Sequence, residues 1–303
     1  MTIEKITINN IDKMKESYNK FSSEAISSYK FDKPPLRFEE LKTNIQDEFL
    51  EGYLNDDGGF LFFTTKINEA VELNLIYAEF LEDKVELLKA FLAEIKDYKV
   101  ISFPLMGEQS DLLPEIKKLG FDCVEQCILK LKVNDRYNLT QIQKKGKATP
   151  IIKKWDNKYI DEVASLINKA FESSSDSKFD PRFKTLEGSK TIVENIINSD
   201  YGPFNPEFTA LSFDGDKITG VCFVTFSNLK TAVVPLVAVL PEYHNQGIGS
   251  AVLKHALIFT ITSAYKPDYI MTTVDNQNDQ ANSMYKKLGF KESHSYRHAF
   301  LVG

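Results

Sequence analysis

Two glycines that follow a strand pattern mark the part of the sequence best suited to chemistry. The apolar run 237–239 leads through Pro241 to Gly247 and Gly249, and a helical pattern follows directly. The first N–H groups of a helix have no intrahelical partner and carry partial positive charge, so such a turn binds anions. Gly247 lets the backbone approach a ligand closely, and Gly249 lets the helix pack closely. The alternative interpretation is a plain tight turn between a strand and a helix.

A second stretch, from Asn278 to Phe290, contains a tyrosine that is able to act as an acid. Its sequence is N-D-Q-A-N-S-M-Y-K-K-L-G-F, with Tyr285 seven residues after Asn278. A phenol has a pKa near ~10, so it is protonated at neutral pH and can donate to a departing thiolate. Tyr285 also shares an apolar helical face with Ala281 and Leu288, which is typical of a core tyrosine. Asn278 precedes the helix, where an asparagine is either an N-cap or a ligand contact.

Both stretches require a sheet with helices packed against it. The sequence predicts strand Leu229–Val239, helix Gly249–Ser263, strand Asp268–Val274 and helix Asp279–Leu288. The last helix ends at Leu288-Gly289-Phe290, and the same triplet stands at Leu119-Gly120-Phe121, an offset of 290 − 121 = 169 residues. Because the order of predicted elements is also similar in the two halves, the sequence predicts two copies of one α+β unit.

A polar segment separates the two predicted copies. It runs from Asn134 to Pro150 and contains Q-I-Q-K-K-G-K, a composition typical of linkers. We therefore place a first domain at residues 1–140, a linker at 141–150 and a second domain at 151–303.

Composition argues against several classes of function. A net charge of −6 and the lack of a basic patch argue against nucleic-acid and anionic-membrane partners. Three cysteines in 303 residues are typical of a reducing compartment. The start of the sequence lacks a signal-peptide pattern, and no apolar run reaches the ~20 residues that a membrane span needs. We therefore expect a cytoplasmic protein, and no residue spacing suggests a metal site.

The C-terminal half, about residues 150–303, resembles the GNAT superfamily of acyl-CoA-dependent N-acetyltransferases. One family signature is a strand ending V-x-P, then arginine or glutamine followed by x-x-G-x-G or x-x-G-x-A. It is similar to Val239-Leu240-Pro241 and His244–Gly249, with His244 standing where the family usually has arginine or glutamine. The other signature, asparagine-x-x-alanine, then tyrosine, then G-F, is matched by Asn278, Ala281, Tyr285 and Gly289-Phe290.

This resemblance implies both a fold and a reaction. The fold class is α+β, with two tandem GNAT-like domains, each a mixed, mostly antiparallel sheet flanked by helices. The second domain would move an acetyl group from acetyl-CoA to a primary amine of a small molecule or peptide, by direct attack in a ternary complex and without a metal. The alternative is a non-catalytic acyl-CoA-binding sensor or interaction module.

The resemblance also implies roles for individual residues. The amides of Asn245–Ser250 would hold the pyrophosphate, and the strand edge at 237–239 would pair with the pantetheine arm and stabilise the thioester oxygen. Tyr285 would be the general acid. The general base does not come from the resemblance: Asp275, Glu207 and His298 are candidates by their position near strand ends, and a water chain would also serve. The expected donor-binding residues are Val237, Ala238, Val239, His244, Asn245, Gln246, Gly247, Ile248, Gly249, Ser250 and Asn278.

The N-terminal half resembles a degenerate copy of the same domain. The turn after its strand ending at Phe80 has no glycine, and it carries the acidic residues Glu79, Glu82 and Asp83. A shift by 169 places Ile116 at the position of Tyr285 and Gln109 at that of Asn278. We therefore expect this half neither to bind coenzyme A nor to catalyse.

Overall fold

A computed structural model describes residues 2–29, 34–66, 70–133 and 150–303. The chain forms two compact units. The N-terminal unit comprises Met1–Val124, Lys178–Asp180 and Tyr296–Gly303, and the C-terminal unit comprises Glu125–Ser177 and Pro181–Ser295. The predicted linker, 141–150, lies outside the described residues except for Pro150.

The four elements predicted between Leu229 and Leu288 are present in the predicted order, among the following strands and helices. The strands are β1 Ile3–Lys5, β2 Glu51–Asn55, β3 Phe60–Lys66, β4 Ala70–Tyr77, β5 Val100–Leu105, β6 Asp122–Lys132, β7 Ile151–Lys154, β8 Ala210–Asp214, β9 Lys217–Asn228, β10 Thr231–Val239, β11 Tyr269–Asp275 and β12 Lys291–Val302. The α-helices are α1 Lys15–Glu24, α2 Phe38–Gln46, α3 Leu81–Glu94, α4 Leu113–Lys118, α5 Ile160–Phe171, α6 Asp176–Phe179, α7 Leu186–Ile197, α8 Ile248–Thr262 and α9 Asp279–Lys287.

The C-terminal unit is built on a sheet with strand order β6-β11-β10-β9-β8-β7. Its β10 and β11 run parallel, and its other described strand pairs are antiparallel. Side chains of α8 and α9, such as Leu253 and Tyr285, cover one face. Those of α5 and α7, such as Ile167 and Val193, cover the other face. This is the mixed, mostly antiparallel sheet flanked by helices that the resemblance implies.

The N-terminal unit has the same arrangement. Its strand order is β1-β2-β3-β4-β5, with residues 297–302 of β12 antiparallel to β5. The pair β4 and β5 is parallel, as β10 and β11 are in the other unit. Helices α1 and α2 pack on one face around Phe21 and Leu41, and α3 and α4 pack on the other around Leu88 and Ile116. The predicted internal repeat is therefore confirmed.

The L-G-F triplets end equivalent helices with the same hydrogen bonds. Gly120 and Gly289 take left-handed φ angles of 92° and 91° after α4 and α9. The N–H of the following phenylalanine then donates to the carbonyl of Ile116 at 3.1 Å in one unit and of Tyr285 at 3.2 Å in the other. This is the Schellman motif, in which the left-handed position favours glycine.

Each unit includes a strand segment from the other half of the sequence. Residues 125–132 of β6 belong to the C-terminal unit and pair with β11, whereas residues 296–302 of β12 belong to the N-terminal unit beside β5. A division of the chain at 141–150 would leave each sheet without one of these segments. The domain bounds 1–140 and 151–303 stay a prediction.

Candidate active site

The turn between β10 and α8 leaves backbone amides uncapped at the start of the helix. Asn245 and Gly247 have left-handed φ angles of 61° and 87°. Gly247 is the N-cap, and no side chain caps the helix. The first intrahelical bond runs from the N–H of Ala251 to the carbonyl of Gly247 at 3.0 Å. The amides of residues 248–250 therefore have no partner within the helix, an arrangement that suits a phosphate group.

Gly249 allows the first turn of α8 to lie close to the end of β10 and to α9. A Cβ on this residue would be 3.3 Å from the Sδ of Met284 and 3.4 Å from the Cγ2 of Val239. A larger side chain would force the helix start away from the strand. The glycine thus fixes where the uncapped amides stand relative to the strand end.

A one-residue bulge interrupts β10 at Pro235. Val233 is opposite Thr225 and Leu236 is opposite Phe223, so β10 advances by 236 − 233 = 3 residues while β9 advances by 225 − 223 = 2. Proline has no N–H to donate and is found in sheets mainly at edges and bulges. The sequence reasoning missed this bulge, although a proline inside the run T-A-V-V-P-L-V-A-V is its signal.

Beyond the bulge, β10 and β11 separate. Their parallel pairing covers residues 231–233 and 269–271, after which β10 stays paired with β9 and β11 with β6. Thr272 lies where they part, and its hydroxyl donates a 3.0 Å hydrogen bond to the carbonyl of Val234. We term the opening between residues 236–239 of β10 and 272–275 of β11 the C-terminal fork.

Alternate residues of β10 direct their backbone groups into the C-terminal fork. Backbone groups of successive strand residues point to opposite neighbours. The N–H of Leu240 donates to the carbonyl of Thr219 on β9 at 3.0 Å. Ala238, two residues earlier, therefore also faces β9, whereas Val237 and Val239 face the fork. Of the three strand residues expected to bind a donor, two thus present their N–H and carbonyl groups there.

The side chains of His244 and Gln246 form hydrogen bonds within the turn. The Nε2 of His244 lies 3.0 Å from the carbonyl oxygen of Val239, so this nitrogen carries the proton. The Nε2 of Gln246 donates to the carbonyl of Glu242 at 3.0 Å. The His244 ring therefore occupies the fork-facing carbonyl at the outer end of the strand.

Tyr285 is a core residue whose hydroxyl reaches the apex of the C-terminal fork. The residue is 5% exposed, and its ring packs edge-on against Phe290, with centroids 5.2 Å apart. Its hydroxyl oxygen is 3.5 Å from the Oγ1 of Thr272. The Oγ1 of Thr272 is thus within hydrogen-bond distance of both the Val234 carbonyl and the Tyr285 hydroxyl. Burial raises the pKa of the Tyr285 hydroxyl well above its ordinary value.

Two asparagines organise the start of α9. The side-chain oxygen of Asn278 accepts a 3.0 Å hydrogen bond from the N–H of Ala281, which is the N-cap arrangement considered above. Asn282 is buried, and its amide donates to the carbonyls of Asp275 at 2.9 Å and Asn278 at 3.0 Å. It therefore ties the end of β11 to the helix. The sequence reasoning missed Asn282, for which a polar residue near the apolar helix face is the signal.

The three candidate bases lie in different surroundings. Asp275 is buried at the end of β11 and accepts a 2.8 Å backbone hydrogen bond. Glu207 forms a salt bridge with Lys154 at 2.5 Å on the surface of the same unit. His298 belongs to the N-terminal unit and stacks on Phe179 with ring centroids 4.1 Å apart. Asp275 is thus the candidate that lies on a strand of the C-terminal fork.

Two other kinds of site are absent from the described ranges. Within residues 2–29, 34–66, 70–133 and 150–303, no helix combines the length and apolar character of a membrane span. In the same ranges, no three His, Cys, Asp or Glu side chains are grouped so that they could hold a metal ion. The thiols of Cys123, Cys127 and Cys222 are free.

The part of the chain that forms this site matches a known family. A family model described as acetyltransferase (GNAT) domain matches residues 207–292. The chain is 39% identical over 85 residues to the N-alpha-acetyltransferase of Sulfurisphaera tokodaii, covering 26% of this chain and 50% of that protein. It is 32% identical over 99 residues to the peptidyl-lysine N-acetyltransferase YjaB of Salmonella typhimurium, covering 33% and 59%. The matched segments thus span about half the length of these curated relatives.

A solved structure shares the whole fold. A tandem GNAT protein from the clavulanic acid biosynthesis pathway superposes with a TM-score of 0.62, covering 99% of this chain and 98% of that one. Its sequence is 12% identical, so the likeness concerns the fold. It confirms the predicted tandem α+β architecture.

Proposed function

We propose that the C-terminal unit, which carries a GNAT acetyltransferase domain, transfers the acetyl group of acetyl-CoA to a primary amine. The observation that carries this proposal is the position of the Tyr285 hydroxyl at the apex of an open fork. The uncapped amides of residues 248–250 follow directly on the same strand. One unit thus combines uncapped helix amides, an open strand edge and an acid, which together suit an extended anionic donor.

The backbone of β10 and α8 would bind the donor. Acetyl-CoA, when bound, supplies an acyl group activated as a thioester. The amides of residues 248–250 would hold its pyrophosphate. Val237 and Val239 would pair with its amide-containing arm as a sheet edge pairs with an added strand. His244 already bonds the Val239 carbonyl, so this ring must turn away if that carbonyl is to accept from the donor.

The N–H of Val237 would stabilise the charge that develops on the thioester oxygen. It faces the fork and comes two residues after the bulge, close to the apex where Tyr285 ends. A fixed donor at such a position is typically worth about 3–4 kcal/mol of the barrier. The attacking amine forms the new C–N bond and loses a proton, for which Asp275 is our candidate acceptor, directly or through water.

Tyr285 would donate its proton to the sulfur as the C–S bond breaks. Burial raises the pKa of this hydroxyl, so it holds its proton throughout the physiological range. The same burial would raise the pKa of a thiolate in the fork, which keeps the two groups closer in acidity. Thr272 would be a positioning residue, because its hydroxyl is fixed by Val234 and lies 3.5 Å from that of Tyr285.

Peptide amines are the acceptors that we propose first. The names of the two curated relatives specify an N-alpha amine and a peptidyl-lysine amine. Small-molecule amines belong in the same panel, since the matched segments cover only part of those relatives. The free cysteines and the sequence composition favour the cytoplasm as the place of action.

Release of free thiol from acetyl-CoA tests the proposal directly. An acetyltransferase releases thiol in proportion to acetylated product when one of these amines is supplied. A non-catalytic sensor would bind acetyl-CoA at one site per chain and release no thiol above the blank. Mass spectrometry of the acceptors then identifies the acetylated nitrogen.

A further inference from the structure

The N-terminal unit contains a second fork, built like the first. Its β4 and β5 pair in parallel over residues 70–72 and 100–102, and β4 then continues beside β3. Leu73 is opposite Phe63 and Leu75 is opposite Phe62, so β4 advances by 75 − 73 = 2 residues while β3 advances by 63 − 62 = 1. This places a bulge at Asn74. We term the opening beyond it the N-terminal fork.

The two forks correspond residue by residue. The parallel pairing begins at Ala70 in one unit and at Thr231 in the other, an offset of 231 − 70 = 161. The same offset places Asn74 at the position of the Pro235 bulge. It also places Ile76 at the position of Val237, whose N–H faces the C-terminal fork.

Gln109 fills the N-terminal fork. It lies in the 3-10 turn Gly107–Leu112 after β5 and is 0% exposed. Its side-chain Oε1 accepts a hydrogen bond from the N–H of Ile76 at 3.2 Å. A carboxamide oxygen therefore accepts a hydrogen bond from the Ile76 N–H, which corresponds to the Val237 N–H in the C-terminal fork.

Of the two polar side-chain atoms of Gln109, only the oxygen has a hydrogen-bond partner among the described residues. Its Nε2 is buried and finds no hydrogen-bond partner among the described residues, and the same holds for the Oδ1 of Asn74 at the bulge. A buried polar atom without a partner is destabilising, so an apolar side chain of equal length would avoid that cost. What glutamine adds over such a side chain is the carbonyl that Ile76 binds.

We propose that Gln109 is a built-in substitute for the acyl carbonyl of a ligand and keeps the N-terminal fork closed to thioesters and amides. The ligand class excluded in this way is a short acyl thioester or amide without a nucleotide. Beyond β4, a cavity of about 360 Å³ is lined by Asp57, Glu79 and Asp83 as well as Lys20, and its net negative charge disfavours phosphates.

Backbone amide resonances test this inference in each fork separately. The probe is the acetyl thioester of N-acetylcysteamine, which carries no phosphate, titrated into 15N-labelled wild type and Gln109→Ala. We expect the Ile76 amide resonance to move in the variant and to stay in place in the wild type. Without the probe, we expect Ile76 N–H exchange to be about 5- to 100-fold faster in the variant, because a buried hydrogen bond is lost.

A matched variant distinguishes the hydrogen bond of the Gln109 side-chain oxygen from the space that the side chain fills. Gln109→Met keeps the fork filled, so we expect faster exchange at Ile76 but no response to the thioester. Unchanged exchange in the methionine variant, or an equal response of Ile76 in wild type and Gln109→Ala, would overturn the proposal. If Gln109→Ala does not fold, the proposal is tested by the exchange rate of Ile76 in Gln109→Met and by the response of Ile76 to the thioester in the wild type.

The Val237 amide resonance provides an independent test of the proposed function. Its resonance moves with the thioester in every variant if the C-terminal fork binds the donor. A silent Val237 with a responsive Ile76 in Gln109→Ala would count against the proposed function and support the role of Gln109.

Discussion

Replacing Tyr285 with phenylalanine separates its two roles, because the ring stays and the hydroxyl is lost. The edge-on contact with Phe290 is retained. The lost contact, 3.5 Å to Thr272, is longer than an ordinary O–H···O bond, and Thr272 keeps its bond to Val234. We therefore expect a stability loss below about 1 kcal/mol, or a melting shift of at most about 2–4 °C.

The expected loss of activity is much larger than the expected loss of stability. General acid catalysis is typically worth about 10²–10⁴ in rate, which corresponds to roughly 2.7–5.5 kcal/mol of the barrier. We expect single-turnover acetyl transfer in Tyr285→Phe to fall by that factor while affinity for acetyl-CoA is unchanged. The defect should shrink with acetyl thioesters of more acidic thiols, whose thiolates need less protonation.

Tyr265→Phe is the matched control for this substitution. Tyr265 is half exposed in the same unit and contacts Phe226 through its ring, with centroids 5.1 Å apart. It should keep full activity. Normal turnover in Tyr285→Phe, with chemistry rate-limiting and the acceptor saturating, would refute the acid role and leave Tyr285 as a core residue only.

The remaining predictions concern the turn, the fork apex and the pH dependence. Gly247→Glu should weaken acetyl-CoA binding by at least about 100-fold in calorimetry. Gly215→Glu is the control and should leave binding unchanged, because it adds the same charge at another left-handed glycine, where a Cβ would have no atom within 4 Å. Thr272→Val should lower single-turnover rate about tenfold, with most of it regained in Thr272→Ser, and an unaffected valine variant would contradict the positioning role. Asn282→Leu should lower the melting temperature by about 2–8 °C, since the hydrogen bonds of its side-chain amide to the carbonyls of Asp275 and Asn278 are lost, and no shift would mean that they contribute nothing. The acid must be protonated to act, and burial raises the pKa of Tyr285, so its ionisation should not reduce activity below about pH 10. A rate that already declines with rising pH below about pH 10, in the wild type but not in Tyr285→Phe, would contradict this.

Local residue types were sufficient to predict the turn and the helix ends. The absence of a Cβ permits the left-handed backbone at Gly289 and the close approach of a ligand at Gly247, and glycine can be read from sequence alone. The strand and helix order follows in the same way from apolar periodicity. These features depend on neighbours within a few residues, so the sequence carries them directly.

The hydrogen bonds of the fork depend on partners distant in sequence, and the sequence reasoning did not identify them. Nothing near Thr272 indicates that its hydroxyl meets the carbonyl of Val234, 272 − 234 = 38 residues earlier. The same holds for Gln109 and Ile76, which are 109 − 76 = 33 residues apart. The shift by 169 did align Gln109 with Asn278, but the hydrogen bond from the Ile76 N–H to the Gln109 side chain is seen only in the folded chain. Such contacts follow from strand pairing and bulges, which local propensity does not specify.

The exchange of strand segments between the two halves has a consequence for synthesis of the chain. The N-terminal unit needs residues 296–302 to complete its sheet beside β5, although the rest of that sheet is made before residue 125. At about 5–20 residues per second, the ribosome takes roughly 10–35 s to add residues 125–303. During this interval the outer edge of β5 is an unpaired strand edge, the kind of surface that chaperones cover and that pairs wrongly with other chains. The C-terminal unit has no such delay, because β6 is already present when β11 emerges.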